Sequence, residues 1–381
     1  MIVMTLTISI IVIYLLLIGL FAYGFDRVKA FKLQDLPSKS KFTVVIPFRN
    51  EALHLPKLLT SISELNYPKS LYEVILVNDE SSDQSETLVE TYINSENKKY
   101  KINNIRLVKN NRQSNSPKKD AIATAIGLSK FNWIITSDAD CILPKYWLDT
   151  FDEYLQSYDC NCIVGPVTFT NNNSFFKRFQ NLDFLSLQGA TIGGFGVKQP
   201  FMCNGANFAY KKSVYTALKG FNENNHIASG DDIFLLEKFL KHNSKNVHYL
   251  KSSKALVLTH PELDLKSLIQ QRLRWASKTS KYNNWFAKLV GLVVFSTNLT
   301  CILLIPLVSF QFLNLKTAFT LFMIKVCIDF LLLFKATRFF NQERLLISYL
   351  FSSIIYPIFS VYVAILSLFK SYRWKGRTFK K

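Results

Sequence analysis

Three acidic clusters and one basic, aromatic cluster carry the residue types that chemistry needs. The first is Ser137-Asp138-Ala139-Asp140. Carboxylates two positions apart at the end of a strand present hard oxygen ligands, which suit Mg²⁺ or Mn²⁺ held against a diphosphate. An ordinary polar turn has the same composition. The second is Val77-Asn78-Asp79-Glu80-Ser81-Ser82-Asp83. Here Asp79 is placed to accept hydrogen bonds from a nucleobase or ribose, and Ser82 or Asp83 to cap a following helix. The third is Gly230-Asp231-Asp232, ahead of the helical pattern FLLEKFL. Acidic residues favour a helix start through its dipole, but a carboxylate there also suits a general base, and a neighbouring carboxylate would raise its proton affinity.

The basic cluster is Gln271-Arg272-Leu273-Arg274-Trp275, on a predicted helix beginning near Leu265. Arginine offers a rigid fork to phosphate oxygens, and tryptophan offers a flat face to a sugar. A basic amphipathic helix on a membrane surface fits the same residues. Lys118-Lys119 precedes another predicted helix, where a cation meets either phosphate or solvent. His260-Pro261 follows the strand-like run ALVLT and borders whatever site lies there. Gly193-Gly194-Phe195-Gly196 has the wrong spacing for a dinucleotide fingerprint.

These clusters need a scaffold. Phe42–Pro47, Tyr72–Val77 and Trp133–Thr136 are apolar, β-branched runs that predict buried strands, with a shorter one at Ile105–Val108. Helical spacing occupies Asn50–Leu65, Ser82–Ile93 and Asp120–Ser129. Alternating strands and helices predict an α/β fold with a mostly parallel sheet covered on both faces. The first two acidic clusters follow strands directly, and ligands of open α/β sheets bind beyond those carboxyl ends.

The 381 residues include 32 Phe and are 49% hydrophobic, with the apolar residues gathered at the ends. Residues 2–25 contain no charge and predict a transmembrane helix; a signal peptide would have a basic start and a shorter apolar core. Arg27, Lys29, Lys32, Lys39 and Lys41 follow, placing that end and the next domain in the cytoplasm. Residues 289–313 and 345–369 can also span. Residues 317–334 carry Lys325 and Asp329, four apart and able to pair, so this segment is a weaker span or an interfacial helix. Hydropathy argues for three C-terminal spans, whereas six positive charges in the tail 370–381 argue for an inside terminus.

The net charge of +19 suits anionic lipid or an anionic substrate. Nucleic-acid binding is a third reading of that charge, which no motif supports: there is no zinc-finger spacing, aromatic-basic RNP pattern or basic region followed by heptads. Six scattered cysteines without Cys-x-x-Cys predict free thiols.

In order, VVIPFRNE (44–51), VNDESSD (77–83), SDAD (137–140), GDD (230–232) and QRLRW (271–275) resemble the motifs of family 2 glycosyltransferases. The last resembles the Gln-x-x-Arg-Trp of membrane-integrated members, such as cellulose, chitin and hyaluronan synthases and ceramide glucosyltransferase-like enzymes. Cys203–Tyr210 with Lys219-Gly220-Phe221 is similar to their acceptor-side segment. The resemblance implies a GT-A (Rossmann-like) catalytic domain over 42–284, between a helix at 1–25 and a membrane region of two or three helices at 289–369. It further implies a nucleotide-diphosphate sugar donor, UDP-linked, a lipid or saccharide acceptor, and a Mg or Mn ion. Asp79 would bind the uracil or ribose, Asp138 and Asp140 the diphosphate with Asp140 on the metal, and Asp232 would be the base beside Asp231. Gln271, Arg274 and Trp275 would close over the diphosphate and the acceptor end. Family members often carry Gly-Lys where this chain has Lys118-Lys119. The product would be a glycolipid or lipid-linked saccharide, or a polysaccharide; a scaffold that kept the fold but lost catalysis is the rival from another class.

Overall fold

A computed structural model describes residues 1–94, 104–170, 174–278 and 281–379. The chain opens with helix α1 (Ile2–Arg27), then alternates: β1 (Phe42–Phe48), α2 (Leu55–Ser63), β2 (Tyr72–Asn78), α3 (Ser85–Asn94), β3 (Ile105–Lys109), α4 (Pro117–Leu128), β4 (Trp133–Thr136) and α5 (Trp147–Ser157). Short strands β5 (Cys162–Val164) and β6 (Val167–Phe169) precede the long α6 (Phe175–Gly196). There follow β7 (Phe208–Lys211), α7 (Lys212–Ala217), α8 (Ile233–Asn243), β8 (Val247–Tyr249), β9 (Val257–Thr259) and α9 (Leu265–Ala276). Helices α10 (Trp285–Ser309), α11 (Leu315–Phe339) and α12 (Tyr349–Phe369) lead to a hairpin of β10 (Tyr372–Trp374) and β11 (Arg377–Phe379).

Two compact units form. One holds residues 29–170 and 202–260; the other holds 1–28, 171–201 and 261–381. The expected domain 42–284 is thus shared between them.

The first unit is a mixed α/β sheet of seven strands, ordered β3-β2-β1-β4-β7-β5-β8, with β6 and β9 paired separately. Strands β1 to β4 run parallel, in the register Val44 to Val74 and Val45 to Thr136. Val44, Val45 and Ile46 are fully buried, which contributes about 1.5–3 kcal/mol each. The sheet departs from the expected parallel pattern at β7, which runs antiparallel to both β4 and β5. This reversal brings the turn before β7 to the carboxyl end of β4, where Thr136 Oγ1 donates to the Gly205 carbonyl at 2.7 Å.

Helices α2 and α3 start later than the hydrophobic spacing predicts, and α4 starts earlier, at Pro117. Asn50 takes a positive φ of 51°, so α2 begins only at Leu55. Asp83 caps α3 by accepting from the Ser85 N–H at 3.0 Å.

Among the described residues, the second unit contains four helices long and apolar enough to cross a membrane: α1, α10, α11 and the run 343–369. Lys325 and Asp329 pair at 2.8 Å within α11, and Tyr14 of α1 donates to Asp329 at 2.6 Å. Helix α6 is not legible in the sequence, because its glycines argue against a helix. They are there for close approach: a Cβ on Gly193 would sit 2.5 Å from the Phe21 carbonyl, and one on Gly24 would sit 2.2 Å from the Gly193 carbonyl. Small residues of this kind let helix backbones touch. The tail folds as the β10–β11 hairpin up to Phe379; Lys380 and Lys381 lie outside the described residues.

Candidate active site

Three loops leave the carboxyl ends of β1, β2 and β4, and side chains lace the first two together. The Asn50 N–H donates to Ser81 Oγ at 3.1 Å, the Ser82 N–H donates to Asn50 Oδ1 at 2.8 Å, and the Ala52 N–H donates to Asp83 Oδ2 at 3.1 Å. Asn50 and Glu80 both hold left-handed backbone, with φ of 51° and 57°. Such conformations cluster at functional sites.

Asp79 sits at the end of β2, buried. Its Oδ1 accepts from Asn110 Nδ2 at 2.7 Å, and Arg112 lies 3.7 Å away. Its backbone carbonyl accepts from Arg49 at 2.7 Å, and Arg49 also donates to the Glu80 carbonyl. Arg49 lies inside the motif at 44–51 but carries no assigned role there, and Arg112 lies outside every motif, although each immediately follows or lies close behind a strand end. That position was the available signal.

Asp138 and Asp140 follow β4. Asp138 pairs with Lys118 at 2.7 Å, and the same ammonium lies 3.1 Å from Asp231. Lys118 therefore joins the loop after β4 to the turn before α8. Burial alone would pull the Lys118 pKa down. The Asp138 and Asp231 carboxylates outweigh it and hold the ammonium above its ordinary value. Lys119 does different work: buried beneath the 219–230 segment, it donates to the carbonyls of Asn224 at 2.7 Å and Ile227 at 2.9 Å, and lies over the Phe234 ring. The structure thereby separates the two lysines that sequence left equivalent.

Asp232 caps α8. Its Oδ1 accepts from the Ile233 N–H at 2.7 Å and its Oδ2 from the Gly205 N–H at 3.3 Å. Lys118 offsets the charge of neighbouring Asp231, so the two carboxylates do not crowd each other as a bare pair would. The backbone requires one of the two glycines here, and the other sits in tight contact with the ion pair. Gly230 has a φ of 82°, and a Cβ on Gly205 would stand 3.0 Å from Asp231 Oδ2 and 3.5 Å from Lys118 Nζ.

Asp140 is half-exposed. Among the described residues no cation pairs with it, and the Cys141 thiol lies 3.8 Å from its Oδ1. No group of three or more His, Cys, Asp or Glu side chains gathers to hold a metal among the described residues. A donor set of one free carboxylate fits Mg²⁺ or Mn²⁺ completed by substrate phosphates, the usual arrangement for these ions. Burial, followed by Asp140 and Asp138, pushes the Cys141 thiol well up, which keeps it protonated. His260 accepts or donates with Thr170 Oγ1 at 3.2 Å and stacks on His54 with ring centres 4.9 Å apart.

Asp79, Asp138, Asp140, Asp231 and Asp232 all belong to the sheet-bearing unit, and Gln271, Arg274 and Trp275 to the helical one. Gln271 donates to Glu262 at 2.8 Å. Arg272, absent from the expected site, is buried in an ion pair with Asp183 at 2.7 Å and lies over the Trp275 ring at 4.2 Å. Phe184 flanks Trp275 at 6.1 Å.

Two family models match: Glycosyl transferase family 2 over residues 43–218, and Glycosyl transferase family group 2 over 133–371, more than half the chain. Glycosyltransferase AglE of Haloferax volcanii is 21% identical over 234 residues, covering 61% of this chain and 70% of the relative. Poly(ribitol-phosphate) beta-N-acetylglucosaminyltransferase TarS of Staphylococcus aureus is 27% identical over 142 residues, 36% of this chain and only 23% of TarS. Probable glycosyltransferase YdaM of Bacillus subtilis is 26% identical over 199 residues, 50% of this chain and 44% of YdaM. Among solved structures, the mannosyltransferase PcManGT from Pyrobaculum calidifontis, in complex with GDP-Man and Mn²⁺, has the same fold: TM-score 0.58, 14% identity, 96% of this chain and 99% of that one.

Proposed function

We propose, on the premise that this chain belongs to glycosyl transferase family group 2, that it moves a sugar from a UDP-sugar to a membrane-lipid or lipid-linked saccharide acceptor with inversion. The observation that carries this reading is the Lys118 bridge, which joins the loop bearing Asp138 and Asp140 to the one bearing Asp231 and Asp232. One cation thereby holds the donor-side Asp138 and Asp231, the residue next to the proton acceptor.

In this reading Asp232 accepts the proton of the acceptor hydroxyl. That oxygen attacks the anomeric carbon from the face opposite the nucleotide, the bond from carbon to diphosphate oxygen breaks, and UDP leaves with the electron pair. Asp79 takes the uracil or ribose, and Asp138 with Asp231 fixes the donor. Asp140 would hold a Mg²⁺ or Mn²⁺ ion, which offsets charge on the departing diphosphate. The Mn²⁺ bound with GDP-Man in PcManGT supports that assignment. Gln271, Arg274 and Trp275 serve the diphosphate and the acceptor. Holding reactants in line supplies up to about 7–11 kcal/mol.

The protein is integral to the membrane in this reading, with its catalytic unit in the cytoplasm, as the basic residues after α1 favour. Helices α1, α10 and α11 cross, and α12 does not. Helix α11 runs parallel to α1, with Tyr14 on Asp329, Asp26 on Lys335 and Phe25 on Phe339. Helix α10 starts beside Phe21 of α1, through Phe286. The hairpin after α12 touches α9, which comes just before α10, through Gln270 and Arg274. A stretch whose two ends meet the same helix is better explained by an even number of crossings. The tail is then cytoplasmic, in keeping with its basic charge.

The deciding experiment is a donor screen on purified membranes: nucleotide release from UDP- and GDP-sugars, with and without Mn²⁺ or Mg²⁺. Release from a UDP-sugar, stimulated by lipid extract, is expected. Absence of release from every donor would overturn the reading.

A further inference from the structure

The C-terminal hairpin is built more carefully than a solvated basic tail requires. Its turn, Lys375-Gly376, has φ of 49° and 75°, the left-handed pair that matches the twist of a two-residue hairpin. Tyr372 is buried and stacks on Phe379 at 5.5 Å, and Trp374 packs on the same ring at 6.3 Å. Burial pushes the Tyr372 hydroxyl up, with Arg274 of α9 and Lys278 just past its end pulling it back, so basic groups border the ring. The hairpin is fastened to α9 at two points. The Arg373 N–H donates to Gln270 Oε1 at 2.8 Å, and the Arg274 guanidinium lies over the Trp374 ring at 5.3 Å.

The two arginines of α9 are held in different ways. Arg272 is engaged by the Asp183 carboxylate. Arg274 has no carboxylate partner among the described residues, and its Nε is buried without a hydrogen bond. A ring face attracts a guanidinium through its quadrupole, and it does so without using the in-plane N–H donors. Those donors stay available for a bidentate anion.

We propose that the hairpin is a positioning element of the enzyme and that Trp374 is the residue that aims Arg274 at the anionic group of its substrate. This rests on the assignment of Arg274 to the donor diphosphate.

The test is a cycle on full-length protein in membranes, measuring UDP release with saturating acceptor extract and the donor kcat/KM. Arg274→Ala, Trp374→Ala, Trp374→Phe and the Arg274→Ala/Trp374→Ala double variant are compared, with thermal stability recorded for each. Trp374→Ala is expected to lower kcat/KM roughly 2- to 30-fold, the range of one cation–π contact. Trp374→Phe should recover most of that, and the double variant should be no worse than Arg274→Ala. Should Trp374→Ala fail to accumulate, Gly376→Val serves: it strains the turn from outside the contact, since nothing lies within 4 Å of that position, and is expected to lower kcat/KM in the same direction. Wild-type kcat/KM in Trp374→Ala or Gly376→Val, or losses that multiply in the double variant, would overturn the positioning role while Arg274 keeps its own. An Arg274→Ala enzyme with normal kcat/KM would overturn the donor assignment itself, and the hairpin's role with it.

Discussion

Lys118, near the start of α4, forms an ion pair 2.7 Å long with Asp138, just past the end of β4. Replacing it by Met keeps the bulk and leaves two carboxylates facing each other. Stability is expected to fall by about 1–2 kcal/mol. That is less than the ~3–5 kcal/mol of a fully buried pair, because these side chains keep 17% and 35% of their surface exposed. Nucleotide release should fall by about 100-fold, as when one preorganised donor is removed. Wild-type release from Lys118→Met would refute the bridge's importance.

The same pair fixes a pH expectation. The Lys118 pKa is raised above its ordinary 10.5. Its contribution to stability is therefore complete below that value and disappears only as pH climbs through the raised one. An alkaline limb in the activity profile between pH about 7 and 10 must then belong to another group. If Lys118→Met shifts that limb, this expectation fails.

Asp232→Asn retains an oxygen to accept a backbone N–H and removes the proton acceptor. Transfer is expected to drop by about 10²–10⁴-fold, with donor affinity held near wild type. The measurement is UDP release beside a titration of bound UDP-sugar. Undiminished transfer would show that another group is the base.

Metal dependence should concentrate on Asp140. Chelation with EDTA is expected to stop release, and Mn²⁺ or Mg²⁺ to restore it. Asp140→Ala should raise the metal concentration needed by at least the ~10–100-fold that loss of an outer-shell partner costs. An unchanged metal titration in Asp140→Ala would place the ion elsewhere.

What the sequence makes legible follows from how local each signal is. Strands β1, β2 and β4 are compact apolar runs, and their ends locate Asp79, Asp138 and Asp140 without knowledge of the tertiary fold. The pairing of Lys325 with Asp329 is equally local, one helical turn apart. Lys118 is different. Its partners come from the loop after β4 and the turn before α8, and the second arrives only because β7 runs antiparallel and carries Gly205 to that end of the sheet. Nothing in a single segment encodes that reversal. Helix α6 was hidden for a related reason: its glycines lower local propensity, and only the crossing with α1 explains them.

The number of crossings is the last quantity that local hydropathy leaves open, since α12 also lies in a run long and apolar enough to cross. Contacts distinguish it. Tyr349, at its start, reaches the Val326 carbonyl and packs on Phe330, well inside α11. Phe359 packs on Phe179 of α6, and the hairpin that follows meets α9. Helix α12 thus sets out from the middle of α11 and ends beside α9, the helix before α10. Ser371 should lie on the cytoplasmic side with Arg27, and Lys316, between α10 and α11, on the opposite side. Labelling of Ser371→Cys and Lys316→Cys proteins with a membrane-impermeant maleimide measures this, with the wild-type protein as the background of native thiols. Lys316→Cys is expected to label in intact cells, and Ser371→Cys only after lysis. Equal labelling of both in intact cells would mean that α12 crosses after all.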